Sequence, residues 1–245
     1  MASGDWSIGC EEPFVSLTLT ETEIHVWRAN LAVSSNDYQQ LAQTLSADER
    51  ARAERFRFPR DRDRFIVSRG TLRTLLGRYL NTSPDHVQFR YGDKGKPALV
   101  EPLASMGLEF NLSHSEDLMV CAIAHQQAIG IDLEYLRPVT DLENLTQRFF
   151  TPREHAAIHA LKGDRCIRSF FQHWTCKEAV LKATGNGLMS LSAIEICLQH
   201  DTAKLVQHND ASAPEWSLQL FTPAPGYIGA VAINAPKRSL IHREY

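Results

Sequence analysis

Sulfur is scarce: five cysteines in 245 residues, an odd number with no Cys-x-x-Cys pair. That argues against a disulfide framework and a cysteine zinc site. Long apolar runs are missing, and none approaches the roughly 20 residues of a membrane span. A dominant charge is missing too. The net charge of −3 is too balanced for a chain that coats nucleic acid, so neither a membrane nor a nucleic acid is expected as partner. The opening MASGDWSIGC lacks the cationic start and apolar core of a secretory leader, which makes cytoplasmic residence the expectation. No low-complexity segment stands out. The remainder, 43% hydrophobic and 22% charged, is ordinary for a globular chain with one substantial domain or two small ones. Cys121, inside LMVCAIA, reads as a small buried hydrophobe. Cys176 has no evident activating base.

Punctuation and periodicity divide the chain. A strand ends the segment 14–27, in IHVW. Ser46 to Glu49 is a capping box opening a helix, and a second helix is expected from Arg62 to Leu80 on the stripe Phe65, Ile66, Leu72, Leu75 and Leu76. Strands follow at 87–91, 108–113, 118–124 and 129–134, with connections short enough for a mostly antiparallel sheet. The second half repeats the plan. Thr151-Pro-Arg-Glu154 is another capping box with proline at the first helical position. A long helix runs from Arg165 to Ala183, ended by Gly185 and Gly187, and strands follow at 193–198, 216–221 and 227–233. Residues 201–214 read as a polar loop. The fold class is therefore α+β: two similar lobes, each with helices on a small, mostly antiparallel sheet. They divide as 1–135 and 136–245, joined near Tyr135–Thr140 around Pro138.

Several elements carry chemistry. In WTCKEAVLK, Trp174, Glu178 and Lys182 recur every four residues and share one helix face. An acid and an amine one turn apart can serve as base, metal ligand and phosphate clamp, although the same spacing also suits a surface ion pair. Phe170, Phe171 and Trp174 read as core. Asp132 and Glu134, two apart on a strand, face one side, where a cation such as Mg²⁺ would relieve their repulsion; an exposed acidic strand end is the plain alternative. Gly130 before them is compatible with a close backbone approach. Ser113 and His114 bring a hydroxyl and an imidazole to a strand end, both able to bind phosphate oxygens. As strand neighbours they point to opposite faces, which disfavours a nucleophilic pair. Lys94 and Lys96 flank Gly95 in a turn fixed by Pro97, either a hairpin turn or a lysine held toward an anion. Between Arg50 and Arg73, nine arginines meet three acids, a local excess of six positive charges. That run is either a solvated helix face or a site for a phosphate-rich ligand or an acidic partner.

In their order, Gly95-Lys96-Pro97, Phe110-Asn-Leu-Ser-His114, Gly130-Ile-Asp132-Leu-Glu134, Phe149-Phe150 through Glu154 and Trp174-x-x-Lys177-Glu178-Ala-x-x-Lys182 with Gly185-x-Gly187 resemble the Sfp-type 4′-phosphopantetheinyl transferases. The resemblance covers about residues 45–200, and its two long motifs are specific jointly rather than singly. It implies a monomeric enzyme with its site in the cleft between two pseudo-symmetric lobes. Such an enzyme moves the phosphopantetheine arm of coenzyme A onto a serine of an acyl or peptidyl carrier protein and releases adenosine 3′,5′-bisphosphate. The cation is Mg²⁺, with Mn²⁺ as the alternative.

By the same resemblance, Asp132, Glu134 and Glu178 would hold the metal against the pyrophosphate. The positions that the family can vary are acidic here, Glu134 included, so nothing in the metal site departs from the family pattern. Glu178 or a metal-bound water would take the serine proton, and Lys182 would bind the pyrophosphate and steady the departing charge. Ser113 and His114 would contact the nucleotide phosphates, and Lys96 and Pro97 would line the nucleotide pocket. Arg60 and Arg69 are the candidates for phosphate contacts in the first lobe. Two other readings fit the residues alone: a Mg²⁺-dependent nuclease, and a carrier-docking module without catalysis.

Overall fold

The structure is a computed structural model and describes residues 7–8, 17–185, 188–199, 202–207 and 216–245. Strand β1 (Ser7–Ile8) and strand β2 (Glu23–Asn30) precede helices α1 (Ser35–Gln43), α2 (Ala47–Ala53) and α3 (Pro59–Leu80). The hairpin β3 (Phe89–Tyr91) and β4 (Pro97–Leu99) leads to β5 (Leu108–Ser115), β6 (Leu118–His125) and β7 (Ile129–Tyr135). Helices α4 (Leu142–Phe149), α5 (Pro152–His159) and α6 (Asp164–Thr184) follow. Strands β8 (Glu195–Gln199), β9 (Thr202–Gln207), β10 (Ser217–Phe221), β11 (Tyr227–Ile233) and β12 (Ser239–Glu244) complete the chain. No helix among the described residues is long and apolar enough to cross a membrane.

Helices and small sheets form an α+β architecture built in four layers. A five-stranded sheet has the order β1-β12-β2-β6-β5, and a three-stranded sheet has the order β10-β11-β7. Strand β6 explains the stacking. Met119, Cys121 and Ile123 face α3, in a core with Val67, Leu72, Leu75 and Leu76. Val120, Ala122 and Ala124 alternate with them and meet Ile129, Ile131 and Leu133 of β7 and Val231 and Ile233 of β11. A strand covered on both faces must be apolar at every position, which is why LMVCAIA is an unbroken hydrophobic run. On the outer face of the second sheet, α6 lays Cys176, Ala179, Val180 and Ala183 against Ala230 and Ala232.

Two pairings depart from the sequence reading. Strand β7 does not extend the ladder of β5 and β6; it pairs antiparallel with β11, from Ile129↔Ile233 to Tyr135↔Tyr227. Strand β12 returns to the first sheet and lies parallel to β2, from Ser239↔Glu23 to Glu244↔Arg28. The polar loop expected at 201–214 contains strand β9, paired antiparallel with β8. Its alternation is the reason: Ala203 and Leu205 turn onto the α6 core, while Thr202, Lys204 and Val206 are exposed. Positions 208–215 and Gly187 lie outside the described residues.

Both capping boxes form, and each glutamate does more than cap. Glu154 is buried. Its Oε2 accepts from Thr151 N–H at 2.7 Å and from Lys177 Nζ at 2.6 Å, and its Oε1 accepts from Ile196 N–H at 2.7 Å. Lys177, fully buried, also donates to the carbonyls of Phe149 at 3.1 Å and Leu191 at 3.0 Å. Every charged atom of this pair is satisfied, as a dry interior demands.

Candidate active site

Strand alternation decides which side chains of β7 meet α6. Ile129, Ile131 and Leu133 enter the core between the sheets, so Gly130, Asp132 and Glu134 face the other way, toward the helix. A Cβ on Gly130 would stand 2.0 Å from Ala179 O and 2.4 Å from Ala183 N. Only glycine lets the helix backbone lie this close to the strand. The contact sets α6 at the height where Lys182 reaches Asp132: Nζ to Oδ1 is 2.7 Å. Gly185, in the left-handed region at φ 75°, ends the helix there.

Strand β5 reaches β7 through side chains rather than a ladder. Asn111, Ser113 and Ser115 alternate along one face. Asn111 Oδ1 accepts from Ile131 N–H at 2.9 Å, and Ser113 Oγ donates to Asp132 Oδ1 at 2.9 Å. Ser115 Oγ donates to Glu134 Oε2 at 3.3 Å and accepts from Tyr135 N–H at 3.0 Å. Lys182 Nζ also donates to Ser113 Oγ at 2.8 Å. Asp132, Ser113 and Lys182 thus form one closed polar cluster at the seam of the two sheets.

That cluster leaves Asp132 Oδ2 buried with no hydrogen-bond partner. A bare buried carboxylate oxygen costs about 1–3 kcal/mol or more, which calls for a partner supplied from outside. Burial, followed by the Asp132 charge, raises the Glu134 carboxyl above its usual range. Glu178, one turn before Lys182 on α6, is raised to about 7, first by burial and then by Asp132, with Lys182 opposing. Three mutually repelling carboxyls, one with an open oxygen, are a donor set suited to a hard divalent cation with oxygen ligands. Among the described residues, the three-donor cluster drawn to within 4.8 Å is a different one, at Glu143, His155 and His159.

Beside the cluster lies a cleft of about 440 Å³, walled by Lys96, Pro97, Ser113, His114, Asp132, Glu134 and Lys182, with Arg52, Arg69 and Lys94 around it. Glu178 does not line this hollow. The His114 imidazole is held below its ordinary value by the packing around it, then by Lys182 and Arg64. Arg69 is buried, and its Nε and Nη1 have no hydrogen-bond partner. Its nearest acid, Glu49, is 3.4 Å away, and the guanidinium lies 5.6 Å from the Phe89 ring centroid and 5.8 Å from that of Tyr91. A buried guanidinium with free N–H groups at the edge of a cleft fits an anion.

One position differs from the sequence reading. Arg60 is not in the cleft: it is exposed and pairs with Glu116 and Asp117, each at 3.4 Å. Arg60 and Arg69 are nine residues apart on one helix, about two and a half turns, and so leave opposite faces. Lys96 lines the cleft, but its Nζ is committed to the carbonyls of Ile129 at 3.2 Å and Ala183 at 3.1 Å. It ties the β3–β4 hairpin to the start of β7 and the end of α6. Trp174 is in the core with Phe149, Phe150 and Phe170, as its spacing suggested. The sequence reading did not single out Arg52, Asn111 or Ser115. For the last two the signal was present, as the period-two row Asn111, Ser113, Ser115. A larger hollow of about 790 Å³ near α5, α6 and β8 includes none of Asp132, Glu134 and Glu178.

Comparison with known proteins shows the family of the chain. The profile "4′-phosphopantetheinyl transferase superfamily" matches residues 128–232, and "4′-phosphopantetheinyl transferase, N-terminal" matches residues 29–126. The 4′-phosphopantetheinyl transferase HetI of Nostoc sp. is 48% identical over 218 residues, 89% of this chain and 90% of that protein. The 4′-phosphopantetheinyl transferase psf-1 of Bacillus pumilus is 32% identical over 81% of this chain and 82% of that protein. The 4′-phosphopantetheinyl transferase Sfp of Bacillus subtilis is 27% identical over 83% of this chain and 88% of that protein.

Proposed function

The chain belongs to the 4′-phosphopantetheinyl transferase superfamily and is an enzyme that transfers 4′-phosphopantetheine; on that premise we propose how its residues divide the work. The donor is coenzyme A and the acceptor a serine hydroxyl of an acyl or peptidyl carrier protein. The enzyme acts as a cytoplasmic monomer. Asp132, whose Oδ2 is unpartnered, would hold Mg²⁺ with Glu134 and Glu178. When bound, Mg²⁺ supplies positive charge to the pyrophosphate of coenzyme A. Arg69 binds a phosphate of the nucleotide, with Ser113, His114 and Pro97 lining the same cleft. Arg52 and Lys94 add positive charge at the rim.

The serine oxygen forms a bond to the phosphorus that carries the pantetheine arm. The bond from that phosphorus to the bridging oxygen breaks, and adenosine 3′,5′-bisphosphate leaves with the electron pair. Glu178 takes the serine proton. Burial and the Asp132 charge hold its carboxyl at about 7 in the cation-free site, a value suited to proton acceptance near neutral pH that a bound cation would lower. Lys182, held by Asp132 and Ser113, places its ammonium where negative charge grows on the departing group.

One observation carries this reading: the closed Asp132–Ser113–Lys182 cluster with a single buried oxygen left bare beside a cleft that presents Arg69. Intact-mass analysis of apo carrier proteins incubated with the enzyme, coenzyme A and Mg²⁺ tests it. One phosphopantetheine is gained with the wild type and none with Glu178→Gln of unchanged circular dichroism. Full transfer by that variant sinks the assignment.

A further inference from the structure

Helices α4 and α5 hold a second set of donor atoms, away from the cleft. His155 and His159 are four residues apart on α5, so both rings leave one face, with centroids 4.5 Å apart. Glu143 on α4 faces them. Its Oε1 is 3.5 Å from His155 Nε2 and its Oε2 is 3.3 Å from His159 Nε2. Two ligands bonded at about 2.0–2.1 Å to one tetrahedral ion stand roughly 3.3 Å apart; each imidazole is already about this far from one carboxylate oxygen, and one donor atom of each of the three residues lies within 4.8 Å of the others.

The layer beneath is also in place. Thr146 is fully buried, and its hydroxyl donates to the carbonyls of Leu142 at 3.0 Å and Glu143 at 2.9 Å. Its oxygen is thereby left to accept from His155 Nδ1 at 2.8 Å and from His159 Nε2 at 2.9 Å. A proton on His155 Nδ1 turns the Nε2 lone pair toward Glu143, the usual way an outer hydrogen bond fixes a metal-binding tautomer. His159 Nε2 lies between Thr146 and Glu143 and would exchange the hydroxyl for an ion. Gln147 Nε2 donates to Glu143 Oε1 at 2.6 Å and steadies that carboxylate.

We propose that Glu143, His155 and His159 form a binding site for a divalent transition-series cation, Zn²⁺ by preference, separate from the active cleft. Two imidazoles and one carboxylate suit Zn²⁺ and not Mg²⁺, which takes oxygen ligands. The imidazole side chains are 26% and 29% exposed, so an ion has a path in and a fourth position open to water. Bound there, it ties α4 to α5 beside Phe149 and Phe150, which cover the Lys177–Glu154 pair.

The test is a titration of the full chain with Co²⁺ as a spectroscopic probe, in excess Mg²⁺ to occupy the cleft carboxylates. The expected result is one Co²⁺ per chain with the visible bands of a four- or five-coordinate ion, displaced by Zn²⁺. No near-ultraviolet sulfur-to-metal band accompanies them. The bands are lost in His155→Ala and His159→Ala, and binding weakens in Glu143→Gln, with circular dichroism and Mg²⁺-supported transfer unchanged in His159→Ala. The proposal is overturned if the wild type gives no such bands, if a sulfur band appears, or if either histidine variant binds Co²⁺ as the wild type does. Should a histidine variant fail to fold, undiminished affinity in Glu143→Gln overturns it equally.

Discussion

Gly130→Ala joins packing to catalysis in one substitution. The new Cβ would lie 2.0 Å from Ala179 O and 2.4 Å from Ala183 N, and both partners are helix backbone that cannot swing aside. Relief requires α6 to move off β7 by on the order of 1 Å, since carbon and oxygen do not approach much closer than ordinary contact. Overpacking of this kind costs about 1–3 kcal/mol, and here the upper end applies because a whole helix must shift. The same shift draws Lys182 away from Asp132, now 2.7 Å apart, and carries Glu178 with it. A misplacement of about 1 Å at a reacting centre costs on the order of 100-fold in rate. Thermal melts and initial rates of carrier modification measure both effects. Gly92→Ala is the control, since its Cβ would meet nothing nearer than Lys96 O at 3.8 Å. Wild-type melting and wild-type rate in Gly130→Ala would refute the claim that this contact sets the site.

Three further outcomes are expected. Arg69→Gln raises KM for coenzyme A about 10- to 100-fold, the worth of a charged hydrogen bond, and leaves KM for the carrier unchanged; equal effects on both substrates would remove Arg69 from the nucleotide site. Lys177→Ala leaves Glu154 charged and unpaired in the interior and costs about 3–5 kcal/mol in urea unfolding, while a loss below 1 kcal/mol would contradict that picture. His25 is kept neutral by burial and then by Arg243, its pKa lowered from 6.5 to about 4. The unfolded chain therefore binds the extra proton as pH falls from 6.5 to 4, and stability drops by at most about 3 kcal/mol across that window; His25→Gln flattens the profile, and an unchanged profile assigns the drop to other groups.

The site was legible wherever it depends on local spacing. Glu178 and Lys182 one helical turn apart, and Asp132 and Glu134 two apart on a strand, define their faces without knowledge of the fold. Both capping boxes announced their helices but not their second duty: nothing local says that Glu49 meets Arg73 at 2.6 Å or that Glu154 meets Lys177. Arg60 and Arg69 looked alike within a run of nine arginines, and only the full length of α3, Pro59–Leu80, puts them on opposite sides. Strand partners were the least accessible. The pairing of β7 with β11 joins segments about a hundred residues apart, and sheet pairing is set by burial on both faces, which a single strand does not encode. Strand β9 was hidden because its apolar row consists of only Ala203 and Leu205.

Strand β12 bears on biogenesis. Until residues 239–244 have left the ribosome, β2 lacks its parallel neighbour, and one edge of the larger sheet stands open beside the apolar Ile24 and Val26. Pairings this distant form late, and an unpaired edge recruits other chains. A nascent chain stalled short of this strand, or one clipped before Ser239, thus presents a sticky border to its neighbours.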